Sequence, residues 1–158
     1  MKIKLVLTFL TVGITLASTA AFGQKLYPVQ GPLTSQTPPP VFVAKVKRPI
    51  FGGGSKITLS WTLADGEVLP GKFAKVNATG MNAKTPGGPD SYPPQPNLAF
   101  AWDAVYGPGY FAAHILGKKI WQGVFTGDKG TVLQVELLED LHGTAVDNKG
   151  NVYKEVWR

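Results

Sequence analysis

Cysteine is absent from all 158 residues, which excludes disulfides, thiolate metal sites, iron–sulfur clusters, thiol chemistry and lipid attachment through a modified cysteine. Stability must then come from packing and hydrogen bonding. Histidine occurs only as His114 and His142, so any imidazole chemistry has to use one of these two. There is no G-x-S-x-G nucleophile elbow. Basic residues are spread along the chain, with Lys45, Lys47 and Arg48 the only dense group; a nucleic-acid binder concentrates its charge on one face and adds a known module, so nucleic acid is not an expected partner. Beyond the N-terminus no stretch of ten or more residues shows a clear 3.6-residue period, and Glu136 to Leu141 is the one place where a helical turn could hide.

At the N-terminus, Lys2 and Lys4 precede an uncharged run from Leu5 to Gly23 that ends on small residues. This is the charged n-region, apolar h-region and cleavage site of a secretory signal peptide. Cleavage after Gly23 leaves Gln24 first, and cleavage after Ala20 or Ala21 is nearly as good. The competing reading is an uncleaved anchor, because the run approaches the roughly 20 residues that span a bilayer; its Thr and Gly content favours removal. Taking residues 1–23 from 158 leaves 135, enough for one domain with a sizeable core. Without Lys2 and Lys4, 14 basic residues face 10 acidic ones, a net charge of about +4. The expected location is periplasmic or extracellular, with the membrane met only through the signal peptide.

Residues 24–40 carry Pro28, Pro32 and Pro38-Pro39-Pro40 and read as an extended, proline-rich leader before the first strand. From Val41 the period becomes two. Val41 to Val46 is a first strand; Ile57, Leu59, Trp61 and Leu63 alternate with Thr58, Ser60 and Thr62 as a half-buried antiparallel strand must. Asp65-Gly66 supplies a tight hairpin turn, and Glu67 to Val76 returns, with Pro70-Gly71 suggesting a bulge or an edge. Residues 77–97 are rich in Pro and Gly, a loop of about 20 residues that is long for a compact domain and is the best place for a binding surface. After it, strands are expected at Leu98–Tyr106, Tyr110–Leu116, Lys119–Thr126, Thr131–Leu138, Thr144–Asp147 and Asn151–Trp157, separated by glycine-containing turns. The fold class is therefore all-β: a single antiparallel meander over 41–158 forming a small barrel or sandwich. A lipid-embedded barrel is a poorer fit, since strands of about 7 residues fall short of the 9–11 that a bilayer requires.

The candidate chemistry is sparse. Asp147-Asn148-Lys149-Gly150-Asn151-Val152-Tyr153 resembles the strand-turn-strand edge of β-propeller blades of the NHL type; a single copy implies a hairpin and not a propeller. The same segment lacks the spacing of an EF-hand calcium loop. Gly52-Gly53-Gly54-Ser55-Lys56 has Ser and Lys in the wrong order for a phosphate loop, and Asn77-Ala78-Thr79 is a glycosylation sequon. A hydrolase could draw on His114 or His142 with Asp103 or Glu136, or on Ser55, Ser60 or Ser91. Glu136 and Glu155 could face one another as paired carboxylates, and His114, His142 and Asp103 or Asp140 could hold a metal; the simpler reading of each is a solvated surface group. Aromatic residues, among them Trp61, Trp102, Trp121 and Tyr153, either fill the core or line a cavity. The expectation is a non-enzymatic module without metal or cofactor that binds a protein partner or an envelope component through the 77–97 loop, with Tyr92, Trp102, Tyr106 and Tyr110 as binding residues. The alternatives are a hydrolase of an envelope polymer and a small-molecule carrier with a barrel cavity.

Overall fold

The computed structural model describes residues 23–47, 56–78, 98–140 and 142–157. Eight antiparallel strands, β1 (Gln24–Gln30), β2 (Phe42–Lys47), β3 (Lys56–Thr62), β4 (Val68–Asn77), β5 (Lys119–Thr126), β6 (Val132–Leu137), β7 (Gly143–Asp147) and β8 (Val152–Trp157), pair in sequence order. β1 pairs with β8 to close a barrel. The fold is thus the expected all-β meander, in its barrel form.

Parity along each strand sorts the two faces. On β3, Leu59 and Trp61 are buried inside, while Thr58, Ser60 and Thr62 alternate with them on the outer face. The lumen is packed with large rings: Phe125 meets Phe73 at 5.2 Å and Trp61 at 6.3 Å, both edge to face, and Phe42 meets Tyr153 at 5.4 Å. Lys45 and Lys72 stand exposed on the outer wall. A lumen filled mainly by apolar rings, with lysines on the outer wall, is the inverse of the pattern of a lipid-facing barrel.

Glycines make room for these rings. A Cβ at Gly71 would strike the Phe125 ring and the Val124 carbonyl, and one at Gly123 would lie 2.7 Å from Phe125 and 2.9 Å from Phe73. Gly71→Ala is therefore expected to destabilise by about 2 kcal/mol through overpacking, read as a lower urea midpoint with an unchanged slope. Wild-type stability in this variant would show that the Phe125 ring can move aside.

Three sequence expectations require correction. Residues 24–30 are not a leader ahead of the barrel but its first strand, with Gln24 and Leu26 turned inward and a short 3₁₀ turn at Pro32–Ser35 beyond it. Proline is tolerated because β2 pairs only with Lys25 and Leu26, so Pro28 has a ladder neighbour on the β8 side alone, where the register also shifts. Pro70 is placed in a similar way, one residue before the β4–β5 ladder begins at Gly71. The stretches expected as strands at Leu98–Tyr106 and Tyr110–Leu116 are instead helix α1 (Ala99–Tyr106) and a single π-helical turn (Phe111–Ile115). Their apolar positions do follow a helical period: Leu98, Ala101, Trp102 and Val105 stand at i, i+3, i+4 and i+7. Gly107, at φ 113°, ends α1 after eight residues, too early for a ten-residue window to register the period. The one place where a helical turn could hide, Glu136 to Leu141, begins instead within β6, which runs to Leu137, and Leu138 N donates to the His142 carbonyl (2.8 Å) just before β7; residue 141 lies outside the described residues.

Residues 78–118 form an insertion between β4 and β5. It leaves and returns at one place, where Ala78 N donates to the Lys118 carbonyl (2.8 Å) and Gly117 N to that of Ala78 (2.9 Å). From there α1 crosses the outer wall against β7, β8 and β1. A second apolar cluster, including Leu98, Trp102, Phe111, Ile115, Ile120 and Val146, lies between the insertion and that wall.

Candidate functional site

An isolated eight-residue helix is marginal in water, and the N-cap residue of α1, Leu98, makes no side-chain capping bond. Its anchor is Trp102, which is fully buried and donates from Nε1 to Glu136 Oε2 at 2.7 Å. Gln122 Nε2 donates to the other oxygen at 3.0 Å. Glu136 stands on the outer face of β6, opposite Gln122 and Thr144, and is buried because the insertion covers it. Burial raises its carboxyl above the ordinary range, while the bonds from Trp102 and Gln122 pull the other way.

Beyond Trp102 the insertion lays out a row of rings at four-residue spacing. Tyr106 stacks on Trp102 (5.5 Å between ring centres, 26°) and on Tyr110 (4.8 Å, 24°), and Tyr110 meets His114 at 4.6 Å. Exposure rises along the row, from buried Trp102 through half-buried Tyr106 and Tyr110 to exposed His114. The bend between α1 and the π turn is set by Asp103, whose Oδ1 accepts from Phe111 N (2.9 Å) and whose carbonyl accepts from Gly107 N (2.9 Å). Tyr106 donates its hydroxyl to the Gly143 carbonyl (3.1 Å), and Lys154 Nζ lies 5.5 Å from its ring centre. Burial pushes the Tyr106 hydroxyl up to about 12, so it remains a hydrogen-bond donor throughout the physiological range. Exposed Phe100 and Leu116 also belong to this insertion.

Of the four residues expected to bind, Trp102, Tyr106 and Tyr110 are brought into this one row. Tyr92 and nearly all of the 77–97 loop lie outside the described residues, as do residues 1–22, Ser55, Ser91 and the glycines at 52–54. His114 and Glu136 belong to the same site but carry no catalytic pairing. The four-residue spacing of Trp102, Tyr106, Tyr110 and His114 is the signal that could have placed all four on one face.

The other candidate chemistries separate. Glu136 and Glu155 do not face one another: Glu136 is outside the wall, whereas Glu155, paired with Gly143 and Leu26, points into the lumen. His142 meets Asp140 (3.1 Å) in an exposed turn, and among the described residues no group of three His, Cys, Asp or Glu side chains could hold a metal. Asp147 is occupied as a turn organiser, accepting from Lys149 N, Asn151 N, Asn151 Nδ2 and the Tyr153 hydroxyl, so the β7–β8 segment is a hairpin. Ser60 lies on the outer face of β3, opposite Lys45 and Pro70, with no histidine beside it in the ladder.

A shallow groove of about 360 Å³ at the base of the insertion is lined by Lys75, Val76, Asn77 and Lys119. Lys75 is tied to Glu139 and lies 5.6 Å from the centre of the Trp121 ring. No protein-family model, curated protein or solved structure matches this chain.

Proposed function

We propose that the chain is an exported, non-enzymatic β module that captures a protein partner or an envelope component on the outer face built by the insertion between β4 and β5. The observation that carries this reading is the aromatic row: locked at Trp102 and Glu136, it ends in half-buried Tyr110 and exposed His114. Rigid aromatic side chains that present area at little entropic cost are the usual anchors of recognition surfaces. Exposed Phe100 and Leu116 add apolar surface to the same insertion. Export is supported by the fit between the signal-like N-terminus and the barrel, whose first strand begins at Gln24, directly after the preferred cleavage point. A hydrolase gains no comparable support, because neither histidine is joined to an acid in a buried site.

The test uses purified cell-wall polymer and solubilised envelope proteins as baits for the immobilised protein. Tyr110→Ala combined with His114→Ala is expected to weaken retention about tenfold, which corresponds to about 1.4 kcal/mol, with a smaller fall in melting temperature than Trp102→Ala causes, because His114 is exposed and Tyr110 only half-buried. Deleting 84–96 is expected to abolish retention and leave the barrel folded. Undiminished retention in both variants would overturn the assignment.

A further inference from the structure

The barrel lumen holds polar groups that no other described residue satisfies. Both carboxyl oxygens of Glu155, Oε1 of Gln24 and Nε1 of Trp61 are buried without a hydrogen-bond partner, in side chains that are 0%, 4% and 0% exposed. All three project inward. Glu155 pairs with the lumen residues Leu26 and Gly143; Gln24 lies two positions from Leu26, on the same face of β1; Trp61 pairs with Ala44 and Leu69. Gln24 and Glu155 stand on hydrogen-bonded neighbours one diagonal step apart, within about 7–8 Å, and Trp61 faces the lumen from two strands further round. Buried polar groups in native proteins are almost always partnered, and three orphans sharing one lumen point to a common guest.

We infer that this part of the lumen is a binding site for a small ammonium-type cation, such as a primary alkylammonium group. The three orphaned oxygens accept and only Trp61 Nε1 donates, so the guest must be rich in donors. A carboxylate is stable in such surroundings only with a positive partner, and among the described residues no basic side chain pairs with Glu155; Lys75, at the end of β4, is taken by Glu139. The same lumen cluster contains the rings of Trp61, Phe73, Phe125 and Tyr153, and aromatic ring faces attract cations. Gly143 contributes by having no side chain, since a Cβ there would stand 3.0 Å from Glu155 Oε2.

The site is linked to protons. Glu155 stands opposite Leu26 and Gly143, with Gln24 and Tyr153 two positions away on the same face and the Tyr106 hydroxyl bonded to the Gly143 carbonyl; burial alone drives its carboxyl well above the ordinary range. The unliganded site therefore carries a proton that a cation must displace. Affinity is expected to rise about tenfold per pH unit until Glu155 ionises by itself.

The experiment titrates the purified protein with methylammonium chloride by calorimetry in two buffers of different ionisation heat, with potassium chloride at matched ionic strength and tetramethylammonium chloride as comparisons. A saturable heat with one proton released per cation bound, absent from Glu155→Gln and weakened at least tenfold in Trp61→Leu, supports the site. Tighter binding of ammonium chloride than of methylammonium would assign the inorganic ion, and the reverse order an organic amine. Equal responses to potassium or tetramethylammonium, no saturable heat, or unchanged binding in Glu155→Gln would overturn it. Glu155→Gln keeps the shape of the side chain, and thermal melting establishes separately that the variant is folded.

Discussion

Trp102→Ala is expected to lower stability by about 4 kcal/mol, at the upper end of aromatic truncations in cores. Two losses add. The fully buried indole leaves a cavity between α1 and the barrel wall, and Glu136 loses its 2.7 Å donor while remaining in a covered position. Small domains have only about 5–15 kcal/mol in hand, so urea unfolding should show a large fall in midpoint. Trp102→Phe separates the two effects: it retains most of the packing and strands Glu136, for an expected loss of about 2 kcal/mol. Because the barrel ladders do not pass through α1, hydrogen exchange should locate the first damage in residues 98–116 while the strands stay protected. Wild-type midpoints in both variants would mean that the insertion is not docked as described.

Glu67→Ala is expected to cost about 3 kcal/mol at neutral pH. Glu67 is 1% exposed at the end of the barrel opposite to the β4–β5 insertion. It accepts from Lys129 N (2.8 Å), Thr131 N (3.3 Å) and Thr131 Oγ1 (2.6 Å), tying the β3–β4 hairpin to the β5–β6 turn. Gly127 lies so close that any Cβ there would strike the carboxylate. Burial alone would raise its pKa, but the bonds from Thr131 and Lys129 outweigh it and leave the carboxyl below a free glutamate's 4.5. With a depressed folded value the unfolded chain binds more protons, so stability increases with pH across this range. The contribution is full above 4.5 and lost as the pH falls through the folded value. Glu67→Gln should therefore be less stable than wild type at neutral pH, by about 1–2 kcal/mol, with the gap narrowing in acid. A gap independent of pH would assign the effect to shape and not to charge.

Glu155 has the opposite sign. Its raised carboxyl retains a proton in the fold that the unfolded chain releases, so its effect on stability is least harmful below 4.5 and worsens as pH rises towards the folded value. The two buried carboxylates thus respond to acid in opposite directions, one through supplied donors and the other through their lack.

Much of the barrel was legible in short-range pattern. The β3 alternation, the Asp65-Gly66 turn and the β5 to β8 boundaries follow from period two and from turn residues, which act over a few neighbours. Leu63 N donating to the Glu67 carbonyl (2.9 Å) and Gly66 at φ 82° are what Asp-Gly leads one to expect. The site was half legible. Tyr106 and Tyr110 were identified by their chemistry, but placed on strands, because each helical piece is shorter than the window in which its period becomes evident.

What residue order determined by itself was the local grammar: no disulfides, two-residue alternation, and where the chain turns. Only the tertiary structure decided that residues 24–30 are a strand, because their partner on β8 lies at the far end of the chain, with Lys25 opposite Val156, and proline content argues against pairing until a one-sided ladder position is available. It also decided that Glu136 is buried outside the barrel and Glu155 within it. Their parity is readable, but which face is covered depends on where the insertion and the closed wall come to rest, and that is set by contacts between residues distant in sequence.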